Sequence, residues 1–155
     1  PKKKSEPKME EAKKTTVKLT GPQVAQLASQ EQRKLEDITA RLQKFQDFRN
    51  DLRGAKDALD EIGKSEKGAK ILVDLGAGIL VEAKLEDNSK AISALAGNVF
   101  RKKSGKEIKD FLDKKIKNMD LTIEKTVEEH QKTATRLTQL ENILEAGKRQ
   151  LQARQ

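Results

Sequence analysis

Few residues of this chain are of the types that carry out catalysis or hold a metal ion. The 155 residues include no cysteine, which excludes a disulfide framework, a thiolate zinc site and a cysteine nucleophile. The one histidine, His130, could be a metal ligand or a pH switch, but no cysteine or second histidine accompanies it. We therefore expect His130 to be a polar residue on the stripe of a helix that faces a partner helix. We predict no enzymatic activity, no metal and no cofactor.

Three other patterns resemble functional motifs without meeting their requirements. Gly76-Ala77-Gly78 resembles part of a phosphate-binding loop, but it lacks the G-x-x-x-x-G-K-[ST] pattern and no helix follows it, so we expect a turn. Glu128-Glu129 lies on a helix exterior and is interpreted as solvated charge. Stacking platforms for single-stranded nucleic acid need exposed aromatic rings beside basic residues. The chain has only four aromatic residues, and most of them fit helix seams or strands instead: they are Phe45, Phe48, Phe100 and Phe111.

The composition indicates long helices rather than a broad core. Charged residues make up 37% of the chain and aromatic residues only 3%. So few apolar side chains can still fill the narrow seam between paired helices. The net charge is +8, but both signs are interspersed, which is typical of solvated helix faces. No apolar run is long enough for a membrane span or a signal peptide, so we predict no membrane partner and a cytoplasmic location.

The organisation of the chain follows from its changes of pattern. We predict a disordered, Lys-rich leader over residues 1–18 and a single domain over 19–155. Within the domain, apolar periods near 3.6 predict helices, and short apolar runs around Gly-containing turns predict strands. The resulting order is a helix over 22–62, β-hairpins over 71–101 and a helix over 105–153. The fold class is therefore α+β.

The first predicted helix has the pattern of a coiled coil. It begins after Thr20, which forms a capping box with Gln23, and Gly63 is expected to close it. Its seam, the stripe that faces a partner helix, alternates steps of three and four over most of its length. A stammer-like shift is expected between Phe45 and Phe48. The seam residues are Val24, Ala28, Leu35, Ile38, Leu42, Phe45, Phe48, Leu52, Ala55, Leu59 and Ile62.

The second predicted helix begins with the box Ser104-x-x-Glu107 and carries a matching seam. That seam is apolar at both ends and polar in the middle, at Thr126, His130 and Thr133. An antiparallel pairing of the two helices buries both seams within one chain. The apolar residues at the coil end far from the hairpins are then expected to be exposed by fraying, and we select Val24, Leu27, Leu144 and Leu151.

The stretch between the helices repeats itself. Residues 72–80 resemble residues 92–100, each with an apolar run, a turn containing Gly or Asn, and a second apolar run. A polar turn over 86–89 separates the copies. Two hairpins of this size leave unpaired edges and uncovered apolar faces. Either they fold over the base of their own helices, or they pair with strands of other subunits.

This order of elements resembles the alpha-class subunits of prefoldin, of the type called subunit 5 in eukaryotes. The segment 72–87, with Leu72-Val73-Asp74-Leu75 and Val81-Glu82-Ala83-Lys84-Leu85, is similar to the family's first hairpin, "LVPL…yVpaKl.D". The segment 95–116 is similar to "iGtGyyVEKs…A..f...Ki". The chain departs from these patterns at Asp74, Asn98 and Arg101-Lys102. The resemblance covers residues 19–151.

The resemblance implies a hexameric chaperone that works without ATP. Two alpha-class and four beta-class subunits would join their hairpins in a β-barrel platform from which six coiled coils project. The tips would hold unfolded proteins such as actin and tubulin and deliver them to the group II chaperonin. For client contact we select the four distal residues named above. For assembly we select Ile71, Val73, Leu75, Ile79, Val81, Ile92, Leu95, Val99 and Phe100.

Two alternatives remain at this point. Within the family, the chain could be a prefoldin-like scaffold subunit of a larger co-chaperone complex. In another class, it could be a basic coiled-coil protein that binds nucleic acid or ribosomes through its leader and its Lys-rich faces. That second alternative gives no role to the duplicated hairpins, so we disfavour nucleic acid as the partner.

Overall fold

The computed structural model describes residues 19–94 and 98–153. The predicted basic leader lies outside these residues. The predicted fold class is confirmed: two long helices flank two antiparallel hairpins. The elements are α1 (Gly21–Lys64), β1 (Lys70–Gly76), β2 (Ile79–Lys84), β3 (Lys90–Ala94), β4 (Phe100–Ser104) and α2 (Gly105–Gln152).

Both helices begin at the capping residues that the sequence predicts. The Thr20 backbone N–H donates to Gln23 Oε1 at 2.8 Å, with Pro22 in the first turn of α1. At α2, the Ser104 backbone N–H donates to Glu107 Oε2 at 3.0 Å, and the Glu107 backbone N–H donates to Ser104 Oγ at 3.3 Å. Each box satisfies amide groups that have no partner inside the helix.

The expectation that Gly63 closes α1 is wrong. The helix continues through Gly63 to Lys64, and Ser65 is the capping residue. The Ser65 backbone N–H donates to the carbonyl of Glu61 at 3.1 Å, and Ser65 Oγ donates to the same carbonyl at 2.9 Å. Because the serine hydroxyl and amide satisfy the last turn, no left-handed glycine is needed there.

The seam of α1 runs without the predicted stammer. Phe48 is 45% exposed, and Arg49 takes the seam position in its place. Ala55 is likewise exposed, and Lys56 is half-buried. From Val24 to Leu59, one stripe of buried and half-buried positions keeps alternating steps of four and three, and Gln46 is half-buried beside it. The stripe consists of Val24, Ala28, Glu31, Leu35, Ile38, Leu42, Phe45, Arg49, Leu52, Lys56 and Leu59. This is the unbroken heptad spacing of a coiled coil.

The two helices pair in antiparallel orientation along their length. Ion pairs join them at several points, and the positions of the pairs rise along α1 as they fall along α2. From the distal end towards the hairpins the pairs are Glu31–Arg136 (3.4 Å), Arg41–Glu129 (2.8 Å), Arg49–Asp120 (3.4 Å), Lys56–Asp113 (2.5 Å) and Asp60–Lys109. Most of these side chains are partly solvated, so each pair contributes little stability but marks the register.

The core of the coil is thin and partly polar, as the seam of α2 predicts. Ile38 is the most completely buried side chain of the described residues. Thr126 and Thr133 are buried and His130 is half-buried. The Thr126 hydroxyl donates to the Thr122 carbonyl of the preceding turn at 2.8 Å, so this buried polar group is satisfied within α2.

Near the hairpins, the core is a small apolar cluster at the base of the coil. Leu52 from α1 packs with Ile108 and Leu112 from α2, and Ala91 of β3 packs against them. Because Ala91 faces this cluster, one face of the β3–β4 hairpin packs against α2 at the base of the coil.

The two hairpins are separate two-stranded sheets. In the first, Val73 lies opposite Val81, and the turn at Gly76–Gly78 closes the hairpin. Three successive residues there have positive φ, with values of 88°, 53° and 78°. Such a path favours glycine, so the pattern that resembled a phosphate loop is a turn, as predicted. The Asp74 carboxylate accepts a hydrogen bond from the Gly76 backbone N–H at 2.7 Å and fixes the turn.

The polar connector at 86–89 ties the hairpins to both helix ends. The Asn88 side-chain amide donates to the Ser65 carbonyl at 2.7 Å, at the end of α1. The Gly105 backbone N–H donates to the Ser89 carbonyl at 3.0 Å, at the start of α2. Asp87 Oδ1 accepts bonds from the hydroxyl and the backbone N–H of Ser89, which hold the pKa of Asp87 below its usual value. The connector is therefore a fixed part of the base.

Candidate functional site

The distal end of the coil carries an open apolar groove of about 540 Å³. It lies between the start of α1 and the end of α2, at the opposite end of the coil from the hairpins. We call it the distal groove. Its lining residues are Leu19, Gly21, Pro22, Val24, Ala25, Ile143, Leu144, Gly147, Lys148 and Leu151.

Three of the four predicted client-contact residues meet in the distal groove, and they differ in exposure. Val24 is only 4% exposed, Leu144 is half-buried and Leu151 is 67% exposed. Val24 can therefore shape the groove but presents little surface to a ligand. The fourth, Leu27, is exposed but lines a neighbouring hollow that it shares with Leu19. The distal groove therefore contains three of the four predicted residues, together with apolar residues that were not predicted.

Two exposed apolar residues of the groove were missed by sequence reasoning. Leu19 precedes α1, and Ile143 lies on α2 immediately before the seam residue Leu144; both are exposed. Neither belongs to a seam. Ile143 could have been found from the sequence, because it is an apolar residue that lies off the seam in the final turns of a highly charged helix. Such a residue gains nothing from burial in its own coil and is available to another molecule.

The lining of the distal groove is almost entirely apolar. Lys148 is its one charged lining residue, and its ammonium group has no carboxylate within 4.0 Å in the part of the chain that the structure describes. The remaining lining consists of aliphatic side chains and small residues. Gly147 has no side chain to fill the groove, and its backbone is open to solvent on that side. A surface of this kind has few directed polar groups that could select a particular sequence.

The first hairpin presents a continuous apolar face. Residues directly opposite or two apart share a sheet face, which groups Ile71, Val73, Ile79 and Val81. All but the half-buried Ile71 are exposed. Leu75, the fifth residue predicted for assembly in this hairpin, is exposed where the register shifts next to the turn.

The opposite face of the first hairpin is also partly apolar. Leu72 and Leu80 lie there, and Leu72 is 69% exposed. Neither residue was selected from the sequence. A strand that exposes apolar side chains on both faces, as β1 does, is typical of a strand buried between other elements. The described chain does not supply those elements.

The second hairpin has one face on the coil and one face open. Ile92 and Phe100 lie on the open face together with Ala94, and both are exposed. Val99 is exposed immediately before β4. Leu95, which was also predicted for assembly, lies outside the described residues. Of the nine residues selected for assembly, those that the structure describes thus lie at uncovered or half-covered positions of the hairpins.

Neither region has the features of a metal centre or a membrane segment. Across residues 19–94 and 98–153, no three His, Asp or Glu side chains come together in a way that could hold a metal ion. Within the same residues, neither helix has an apolar stretch of the length a bilayer crossing requires. His130 is half-buried midway along the coil, far from the distal groove.

Comparison with known proteins agrees with this architecture. A family model described as prefoldin subunit matches residues 31–150. Prefoldin subunit alpha of Thermofilum pendens is 29% identical over 87 residues, which cover 56% of this chain and 67% of that protein. Prefoldin subunit 5 of Homo sapiens is 26% identical over 104 residues, which cover 67% of this chain and 68% of that protein.

A solved structure has the same fold. The cryo-EM structure of filamentous PFD from Methanocaldococcus jannaschii matches with a TM-score of 0.65 at 16% identity, covering 75% of this chain and 96% of that chain. At this identity the match concerns the fold alone. The family match is independent of it and extends over most of both helices and both hairpins. The chain belongs to the prefoldin subunit family.

Proposed function

We propose that this chain is an alpha-class subunit of a hexameric chaperone that holds unfolded proteins in the cytoplasm and delivers them to a group II chaperonin without ATP. Its relatives include an archaeal subunit alpha and a eukaryotic subunit 5, which supports the alpha class. Its partners would be beta-class subunits, a second alpha-class subunit, unfolded clients and the chaperonin.

The distal groove is the observation that carries the proposal. It is an open apolar surface at the end of a helix of 44 residues, roughly 65 Å from the hairpins at about 1.5 Å per residue. An apolar surface held so far from the rest of the subunit can contact a bulky, unfolded chain without steric hindrance. Its lack of directed polar groups fits clients of many sequences.

The hairpins support the assembly part of the proposal. An isolated two-stranded hairpin is at best marginally stable in water, and these two are separate sheets with exposed apolar faces. Pairing their edges with strands of other subunits would satisfy the backbone and cover the aliphatic side chains. One subunit binds a client weakly, and several arms on one platform would raise the avidity by multivalency.

The test is capture of a denatured client by the assembled complex. We expect Ile143→Ser with Leu151→Ser to reduce suppression of aggregation of guanidinium-denatured actin, because both changes remove exposed apolar surface from the groove. Both side chains are exposed, so the coil should keep its stability. The matched control is Leu121→Ser, which removes an exposed leucine from the same helix outside the groove.

The complex is first checked for intact mass, so that a loss of capture is not a loss of assembly. If the double variant captures the client as well as the control variant does, the distal groove is not the client site. A separate variant, Val73→Lys with Val81→Lys, tests the platform and should abolish assembly. Its normal assembly would contradict the role of the hairpin face.

A further inference from the structure

The first turns of α2 carry an exposed aromatic ring with two lysine ammonium groups over it. Phe111 is 41% exposed. Lys103 Nζ lies 5.5 Å from the centroid of its ring, and Lys115 Nζ lies 4.8 Å from the same point. At these distances the ring attracts both cations. Phe111 therefore restrains two long side chains that would otherwise move freely in water.

Further basic residues extend this cluster. Arg101 lies two residues before Lys103 on the face of β4 that also carries Ala91 and turns toward α2; Lys103 is half-buried there, whereas Arg101 is exposed. Lys114 neighbours Phe111 on the surface of α2. We call Arg101, Lys103, Phe111, Lys114 and Lys115 the Phe111 surface. None of its four cations has a carboxylate within 4.0 Å among the described residues, whereas the nearby Lys109 pairs with Asp60.

Glu107 lies near the cluster but does not neutralise it. Its carboxylate accepts bonds from the backbone N–H and the hydroxyl of Ser104, at 3.0 and 2.9 Å, and caps α2. These bonds lower the pKa of Glu107, and the charges of Lys103 and Arg101 lower it further. The carboxylate is thus already engaged, and the surface keeps an excess of positive charge.

We propose that the Phe111 surface docks an extended acidic segment of a partner protein, with carboxylates on alternate residues and an apolar side chain beside them. Arg101 and Lys103 are two residues apart on a strand, which separates them by about 6.5 Å. Alternate residues of an extended segment have the same spacing, so one carboxylate can meet the exposed Arg101 while the next meets the Lys103 ammonium group where it emerges over the ring of Phe111. The apolar side chain would pack on the ring of Phe111.

Charge and ring geometry favour an acidic protein segment over single-stranded nucleic acid. A base stacks on an open ring face, and here two ammonium groups already lie over the ring. A base would have to displace a restrained lysine, whereas a carboxylate would meet the ammonium groups where they are. The surface lies about 50 Å from the distal groove along α2, so it is separate from client capture.

The test measures peptide binding by the full chain within its assembled complex. The probe is a short fluorescein-labelled peptide in which glutamate alternates with glycine around one leucine, followed by fluorescence anisotropy. We expect Lys103→Gln with Lys115→Gln to weaken binding about tenfold and Phe111→Ala to weaken it about threefold. The matched control is Lys125→Gln with Lys132→Gln, which removes the same charge from α2 away from the cluster and should change binding less than about twofold.

Several results would overturn the proposal. If the Lys103/Lys115 and Lys125/Lys132 double variants weaken peptide binding equally, the net charge of the chain alone determines the affinity. Tighter binding of a thymidine oligonucleotide of equal charge, lost in the same variants, would assign the surface to nucleic acid. Failure of Phe111→Ala to assemble would assign the surface to a subunit contact. Capture of denatured actin should be unchanged in all these variants, which keeps this test distinct from that of the proposed function.

Discussion

Arg49 and Asp120 form an ion pair across the seam of the coil, with Arg49 Nη1 3.4 Å from Asp120 Oδ1. Arg49 occupies a position that an apolar residue would normally fill, and its side chain is 25% exposed. Its Nε is buried without a hydrogen-bond partner in the described part of the chain. Asp120 also lies 3.6 Å from Arg53 of the next turn. A charged pair in this place fixes the register at the expense of stability.

We therefore expect Arg49→Leu to stabilise the coil by about 1 kcal/mol, because a leucine fills the seam and removes an unsatisfied buried N–H group. Asp120→Ala should destabilise it by a similar amount, because it leaves the guanidinium without its carboxylate. Thermal unfolding followed by circular dichroism measures both. A lower melting temperature for Arg49→Leu would show that the ion pair contributes net stability and that this interpretation of the seam is wrong.

The displaced Phe48 should matter little for stability. Phe48→Ala is expected to change the free energy of unfolding by less than about 0.5 kcal/mol, since the ring is largely in water. Phe45→Ala, at a half-buried seam position one turn earlier, should cost about 2 kcal/mol. Urea unfolding of both variants makes the comparison. An equal loss of unfolding free energy in the two variants would mean that Phe48 does lie in the seam and that the stammer is present.

The base of the coil should weaken in acid. The pKa values of Asp87 and Glu107 are lowered chiefly by hydrogen bonds from Ser89 and Ser104, and that of Asp60 chiefly by a bond from Lys109. A carboxylate whose pKa is lower in the folded state than in the unfolded state stabilises the fold at any pH above its ordinary pKa. That contribution decreases once the pH falls below the ordinary pKa values, which are near 4. It is lost as the pH passes through the lower pKa values of the folded state.

Carboxyl chemical shifts in NMR titrations measure these pKa values directly. Glu107→Gln provides a control, because its amide oxygen still accepts the capping bonds but does not titrate. The variant should lose less stability between pH 5 and about pH 3 than the parent chain does. An identical loss in both would mean that Glu107 does not contribute to the acid response.

The sequence predicted those parts of the fold that depend on neighbouring residues. The boxes at Thr20 and Ser104 and the turn at Gly76–Gly78 are local patterns, and all three are present. The seam position of Arg49 was missed because it depends on Asp120, far along the chain. Apolarity alone favours Phe48 over its polar neighbour, and only the pairing of the helices decides otherwise.

The candidate surfaces were predicted less completely for the same reason. Ile143 and Leu19 become parts of one groove only when the two helix ends meet. The restraint of Lys103 and Lys115 by Phe111 likewise joins residues of β4 and α2 that a linear pattern does not relate. The distinction between the buried Val24 and the exposed Leu151 depends on how α1 and α2 pack, which periodicity does not specify.

Site-specific photocrosslinking in the assembled complex tests the central claim, client capture at the distal groove, most directly. A photoreactive amino acid is placed at position 143, 151 or 121, and the complex is irradiated with guanidinium-denatured actin. We expect actin crosslinks from positions 143 and 151 and few from position 121, although all three native side chains are exposed. Equal crosslinking from position 121, or none from the groove, would contradict it.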